Sequence, residues 1–504
     1  MSVPNTPFKH VVVMMFENRS FDSMLGFLYK DNKNKSPLGH SFEGLTGKET
    51  NPDSNGKDVS VYEIDAKTPD AYHMPRRDPG EGFANTNCQL FGAPQAPFDP
   101  SFAPNQGFIT DFAKQVANKS LEDMEKAANA NTQIPIEHIQ YVQDLDGVDE
   151  TDIMGMYSPE TLPILNGLAK HYAVCDHWYC SAPTETLPNR AFTHMGTSEG
   201  NLYDEVKSYS AKSIFMHMAK YGKTWGIYGN NGKPYTVPFC EDIPGGVADA
   251  ENGETSNQPL PAGCQVGSFY DFVDALETNS LPDYTFLEPT WGHTGNSQHP
   301  NYNVAAGEQY LLQIYNALKA SNHWEDTLLV ITYDEHGGCY DHVTPPNGAA
   351  SPATSKAFGF KFDRFGVRVP TVLVSPWIEA GTVYRTKGET PLDHTSILAT
   401  LEEMFNLPAL TARDKAASDI LDVATLKEPR KDTPMKGVIA PKSNSTIVIK
   451  DHASQIQHMH AAALTNKHNR ETGENKETPH FSSDKDVKSY INDMHDRYYS
   501  YSNK

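Results

Sequence analysis

The stretch LLVITYDEHGGCYDHVTPP, residues 328–346, decides how the rest of the chain reads. Leu328-Leu329-Val330-Ile331 is a short apolar run with the character of a buried strand. Asp334, Glu335 and His336 follow it, and Gly337-Gly338 turns the backbone before Tyr340, Asp341 and His342. Three carboxylates and two imidazoles within nine residues are suitable donors for a hard or borderline divalent cation. The carboxyl ends of strands in open α/β sheets are also where ligand sites form. A polar loop that merely caps a strand is the plain alternative. The glycine pair, which lets backbone approach a ligand closely, and the density of ligand types favour a site.

The same pattern recurs at the start of the chain. HVVVMMF, residues 10–16, reads as the first core strand and runs directly into Glu17 and Asn18. A carboxylate and an amide there offer two more oxygen ligands at the edge of a sheet. Capping of a following helix by Asn18 or Ser20 is compatible with this but does not explain Glu17. Further strands are expected at 172–175, near 224–229, at 282–287 and over 369–376. Helices are expected over 153–169, 304–318 and from about 392 to 404. Residues from about 30 to 135 lack periodicity and read as long ordered loops of the kind that wall a site.

Thr184 and Thr186 lie between prolines, ahead of Pro188-Asn189-Arg190, where a helix is expected to begin. A hydroxyl at a loop-to-helix junction sits where free N–H groups and the helix dipole favour an anion. It suits a nucleophile attacking phosphorus, with Asn189 and Arg190 as phosphate partners; a simple threonine cap is the alternative. His299, His342 and His394 supply imidazoles for proton transfer, and Trp178, Trp291 and Tyr302 are candidates for cation–π contact.

The 504 residues are 38% hydrophobic and 21% charged, with net charge −22 and pI about 5.3. That balance argues against a nucleic-acid partner and against a basic patch for anionic membranes, and leaves zwitterionic or uncharged lipid open. The six cysteines match neither zinc-finger spacing nor a dense disulfide framework; Cys240 and Cys264 flank a Gly/Pro-rich insertion and are the pair to watch. No apolar run is long enough for a transmembrane helix, and the N-terminus does not read as a cleavable leader. Beyond Pro408 the chain turns polar. Ser445–Lys450 is expected as a strand, Gln455–Leu464 as a helix, and the last forty residues as a mobile tail.

Seven stretches together resemble the phosphoesterase family of bacterial non-haemolytic and plant non-specific phospholipases C and acid phosphatase A. They are 10–26, 78–92, 174–192, 299–308, 332–346, 365–377 and 393–405, in order over about four fifths of the chain. The resemblance implies an alkaline-phosphatase-like α/β fold, with a central, mostly parallel sheet flanked by helices and long loop insertions. It implies a catalytic domain over 1–406 and leaves 407–504 as a polar extension that suits export or targeting. It implies metal ligation by Glu17, Asn18, Thr186, Asp334 and Glu335, with Thr186 as nucleophile because the family's TxPNR pattern falls on residues 186–190. His299, His394 and His342 are the matching histidines. The family often has histidine where this chain has Glu81, which makes Glu81 a candidate substrate contact and a departure from the pattern.

The activity so implied is hydrolysis of phosphatidylcholine to diacylglycerol and phosphocholine at a membrane surface, through a phospho-threonine intermediate. An acid phosphatase acting on soluble monoesters is the alternative, and a catalytically silent membrane or host-protein binder a more distant one. Oxygen ligands alone suit Ca²⁺, Mg²⁺ or Mn²⁺, and the histidines with the resemblance shift the expectation to Zn²⁺. The zinc-dependent bacterial branch is made in the cytosol and delivered into host cells as a virulence factor, which the absent leader and polar tail would suit.

Overall fold

The computed structural model describes residues 6–30, 40–117, 147–245, 259–347, 359–387, 391–443, 445 and 451–499. Eight strands form its central sheet: β1 (His10–Phe16), β2 (Ala173–Val174), β3 (Trp225–Gly229), β4 (Gln265–Ser268), β5 (Tyr284–Glu288), β6 (Thr327–Tyr333), β7 (Val372–Val374) and β8 (Thr382–Val383). Their spatial order is β8-β2-β7-β6-β1-β5-β3-β4. Every neighbouring pair is parallel except those of β7, which runs against both β6 and β2. β1 and β6, the two apolar runs that end in acids, lie side by side at the centre and are buried almost throughout. Continuous apolar strands with no alternation are what a sheet covered on both faces requires.

Helices provide that cover. α1 (Pro163–His171) packs on β2 and β7, α3 (Phe269–Glu277) on β3 and β4, and α4 (Val304–Ala320) lies against both helices. A second row contains α2 (Thr186–Met195) and α5 (Thr395–Phe405), which touch each other. The α/β class is therefore as expected. The helix expected over 153–169 is shorter: a 3₁₀ turn (Glu150–Met154) and a short strand (Gly155–Tyr157) precede α1, which opens with Pro163 in its first turn. Proline is tolerated there because its missing N–H has no partner in a first turn. The loop-rich region also holds two helices, Phe83–Phe91 and Phe108–Ala117; residues 31–39 and 118–135 of it lie outside the described residues.

The C-terminal end differs most from expectation. α6 (Gln455–Thr472) runs a full two turns past Leu464, and α7 (Asp484–Tyr498) occupies the segment expected to be a mobile tail. Val487, Ile491, Met494 and Tyr498 are buried and recur at helical spacing, a stripe that polar neighbours disguise. Gln457 Nε2 donates to Asp484 Oδ1 at 2.7 Å, and Thr294 Oγ1 donates to Asp484 Oδ2 at 3.1 Å, tying this hairpin to the body. Of the strand expected at Ser445–Lys450, residues 446–450 lie outside the described residues. All six cysteines, Cys240 and Cys264 included, are unpaired. Among the described residues no helix is long and apolar enough to cross a membrane.

Candidate active site

β1 and β6 are in register with Phe16 opposite Tyr333, so Glu17-Asn18 and Asp334-Glu335 leave the sheet at one edge. Asp334 Oδ1 accepts from the backbone N–H groups of Asn18 (2.9 Å) and Glu335 (2.8 Å), which locks the two loops together. Asn18 has φ 56, and Gly337 packs on it with φ 61. A Cβ on Gly337 would stand 2.1 Å from the Asn18 carbonyl oxygen, so only glycine fits.

Thr186 is the first residue of α2, two positions before the expected helix start. Its Oγ1 donates to Asn18 Oδ1 at 3.1 Å, and Asn18 Nδ2 donates to Glu81. Thr184, the other hydroxyl considered, donates instead to the Leu202 carbonyl. Thr186 faces a partly open cavity whose walls include Glu17, Asp78, Glu81, Asp204 and His299. Tyr302 and, from the C-terminal segment, His452, Ile456 and Met459 close the cavity's other side. Asn18, Asp334 and Glu335 are fully buried beside it.

Carboxyl groups dominate the electrostatics. Burial, reinforced by Asp334, pushes Glu17 up to about 8, and burial pushes Asp78 to about 8 as well. Burial first, then repulsion by Glu335, holds Glu81 well above its usual range; burial and Asp334 do the same to Glu335. Glu17 Oε2 and Glu335 Oε1 are buried and accept no hydrogen bond. Buried, mutually repelling carboxylates with unused oxygens hold either protons or a cation. The unused oxygens of Glu17 and Glu335 suit a hard or borderline divalent cation, whereas Asp334 spends Oδ1 on two backbone N–H groups and Oδ2 on Arg190.

The histidines divide. His299 lines the cavity; its Nδ1 bonds the Pro300 carbonyl at 3.0 Å, which makes Nδ1 the protonated nitrogen and leaves Nε2 a bare lone pair. Burial lowers its pKa to about 4, so it is neutral. His394 is fully buried. It receives the Trp178 Nε1–H on Nδ1 (3.3 Å) and donates through Nε2 to the Asp334 carbonyl (2.6 Å), so it positions Asp334 and handles no substrate proton. His342 is not brought to the cavity. It bonds Asp22 at 2.7 Å in a separate network with Asp341 and Arg368, because the glycine turn sends its side chain elsewhere.

Two expected phosphate partners are also occupied. Asn189 accepts from the Ala182 N–H and donates to the carbonyls of Ala182, Thr184 and Glu185, holding the loop that delivers Thr186. Arg190 Nε donates to Asp334 Oδ2 at 3.0 Å and Nη2 to the Phe16 carbonyl at 3.1 Å, which ties it to the acidic loops, while Nη1 is buried with no hydrogen-bond partner. Trp178 is sealed in the core, and Trp291 stacks on the Arg190 guanidinium at 4.8 Å; of the three aromatics only Tyr302 reaches the cavity.

Residues missed by sequence reasoning include Asp204, Asp78 and the C-terminal trio. Asp78 carried a signal, as one of two acids in the turn Asp78–Phe83; Asp204 carried none. Asp204 Oδ1 accepts the Leu187 N–H at 2.8 Å, Oδ2 has no partner, and burial raises its pKa to about 6.

The sequence profile of the phosphoesterase family matches residues 8–408. The chain belongs to the phosphoesterase family. This phosphoesterase is 35% identical to non-specific phospholipase C1 of Arabidopsis thaliana over 85% of its own length and 73% of the relative's. It is 26% identical to phospholipase C A of Mycobacterium tuberculosis over 85% and 79%. A Vibrio parahaemolyticus protein in the alkaline phosphatase superfamily aligns over 51% of this chain and 63% of its own, with 13% identity and TM-score 0.30. That last likeness is too low to add to the sheet topology.

Proposed function

We propose that this phosphoesterase is a metal-dependent phospholipase C that hydrolyses phosphatidylcholine to diacylglycerol and phosphocholine. The observation that carries the proposal is the Thr186 hydroxyl, set at a helix N-terminus, bonded to Asn18 and open to a carboxylate-lined cavity. The relatives named phospholipase C support the lipid substrate. A divalent cation, Zn²⁺ in this proposal, polarises a phosphoryl oxygen and lowers the hydroxyl pKa when bound by Glu17, Asn18, Thr186, Asp334 and Glu335.

Thr186 gives its hydroxyl proton to water in the open cavity and Oγ1 attacks phosphorus; the bond to the diacylglycerol oxygen breaks, and the phosphocholine group is held as a phospho-threonine ester. Asp204, with a free oxygen and a pKa near 6, gives its proton to the leaving oxygen. It then takes a proton from the water that attacks the ester, the bond between phosphorus and Oγ1 breaks, and Oγ1 regains a proton from solvent, which restores both residues. Tyr302 offers its ring face to the trimethylammonium group. His299, neutral with a bare Nε2, donates a lone pair and is not the acid.

The second proposal is an acid phosphatase acting on soluble monoesters, favoured by the C-terminal residues His452, Ile456 and Met459 that wall the cavity and narrow the room beside Thr186. Phosphocholine release from phosphatidylcholine vesicles separates the two. The full chain is assayed as isolated, after chelation and after return of Zn²⁺, Ca²⁺ or Mn²⁺, alongside Thr186→Ala and Asp334→Asn. Release restored by metal and absent in both variants is expected. Hydrolysis of p-nitrophenyl phosphate with no release from vesicles would transfer the assignment to the phosphatase.

A further inference from the structure

The donors assigned to the catalytic cation leave a second group in the same cavity without a task. Asp78, Glu81 and His299 present ligand atoms that all lie within 4.8 Å of one another. Their exposures are 8%, 4% and 9%, so the group is largely buried in the cavity wall. Asp78 Oδ1 accepts no hydrogen bond although it is buried. His299 Nδ1 lies 3.9 Å from Asp78 Oδ1 and 3.0 Å from the Pro300 carbonyl, which takes the Nδ1–H and leaves Nε2 as the nitrogen free to bind a metal. Glu81 is anchored by Asn18 Nδ2, so a single amide joins this group to the Thr186 hydroxyl on its other side.

Two buried guanidinium groups, Arg19 and Arg77, act on Asp78 through their charge without bonding its Oδ1. Arg19, which acts on Asp78 through its charge, donates Nε to Gln298, Nη1 to Met74 and Nη2 to His299, all backbone carbonyls. An anionic phosphate ester must still enter a cavity walled by Glu17, Asp78, Glu81 and Asp204. One divalent ion offsets two of those charges; the approach of a further anion then calls for more positive charge.

We propose that Asp78, Glu81 and His299 bind a second divalent cation of the Zn²⁺ or Mn²⁺ class, which receives the substrate phosphate beside the catalytic ion. Two carboxylates and one imidazole form a donor set these ions accept, with positions left for substrate oxygens. Glu81 then acts as a ligand and not as a direct phosphate contact, which its negative charge opposes. The inference rests on the metal-dependent phosphoesterase assignment above.

The test counts ions. The full chain is dialysed against Zn²⁺ and, separately, Mn²⁺, freed of excess metal, and its bound metal is measured by mass spectrometry. Melting temperature and phosphocholine release are recorded on the same samples. Two ions per chain are expected, falling to one in Glu81→Gln and in Asp78→Asn. Glu81→His, which keeps a ligand atom, is expected to retain two, with a cooperative melt showing the fold intact. A single ion in the parent protein, or two ions unchanged in both Glu81→Gln and Asp78→Asn, overturns the second site. One ion with phosphocholine release sinks the second site alone, whereas two ions without release sink the lipid assignment alone.

Discussion

Asn189 makes four hydrogen bonds in a space sealed from water, and none of them reaches the cavity. Its removal strands an N–H and three carbonyls in the loop that carries Thr186. Asn189→Ala is expected to lower unfolding free energy by about 3 kcal/mol, read by urea denaturation, with activity lost through displacement of the loop. His342 has the opposite character, a titratable group with a structural task. Burial opposes its protonation, yet the Asp22 carboxylate outweighs burial and raises its pKa above the usual 6.5. A raised imidazole contributes stability fully present below pH 6.5 and lost as pH climbs through the folded value. Stability is therefore expected to decline above pH 6.5, and the decline to be smaller in His342→Asn. Equal slopes in the two proteins would remove His342 from the account.

At the scale of elements, the site is made by two strand-to-loop junctions pressed together and a helix that begins where they meet. The pressing depends on Gly337, whose φ is positive and whose missing Cβ leaves room for the Asn18 carbonyl. Gly337→Ala is expected to displace Asn18 and with it Thr186. A shift of about 1 Å in such a group costs roughly 100-fold in rate. Gly222→Ala supplies the control: its φ is 72, and a Cβ there meets nothing within 4 Å among the described residues. It should carry only backbone strain of about 1 kcal/mol and leave the rate unchanged. Rates and denaturation midpoints of the two variants, measured together, separate strain from displacement. The C-terminal hairpin is the other decisive element. Its polar sequence hides the stripe Val487, Ile491, Met494 and Tyr498, and its first helix brings Ile456 and Met459 to the cavity.

For the whole molecule, a net charge of −22 repels an anionic surface over the range that salt allows. The Debye length falls from about 30 Å at 0.01 M to about 8 Å at 0.15 M ionic strength. Adding anionic phospholipid to phosphatidylcholine vesicles is expected to slow phosphocholine release at low salt and to slow it much less at 0.15 M. Pure phosphatidylcholine should respond little to salt, and an anionic surface that accelerates release at low salt would contradict this. The sequence by itself determined the strands that form the centre of the sheet and the acids that follow β1 and β6. It could do so because a strand buried on both faces must be apolar throughout, and its end is marked by the first charge. Residue chemistry left Thr184 and Thr186 both open, and the choice of Thr186 came from the resemblance, whose TxPNR pattern falls on residues 186–190. Only the tertiary structure decided which polar residues face the cavity. His342, His394 and Arg190 have the chemistry of a site, yet each meets a buried partner supplied by distant chain: Asp22, Asp334, and Asp334 with Phe16; Asn189 is taken up by the carbonyls of its own loop. Asp204 and the residues of α6 enter the cavity by the same long-range packing. A side chain's type is fixed locally, whereas its partner is fixed by the fold.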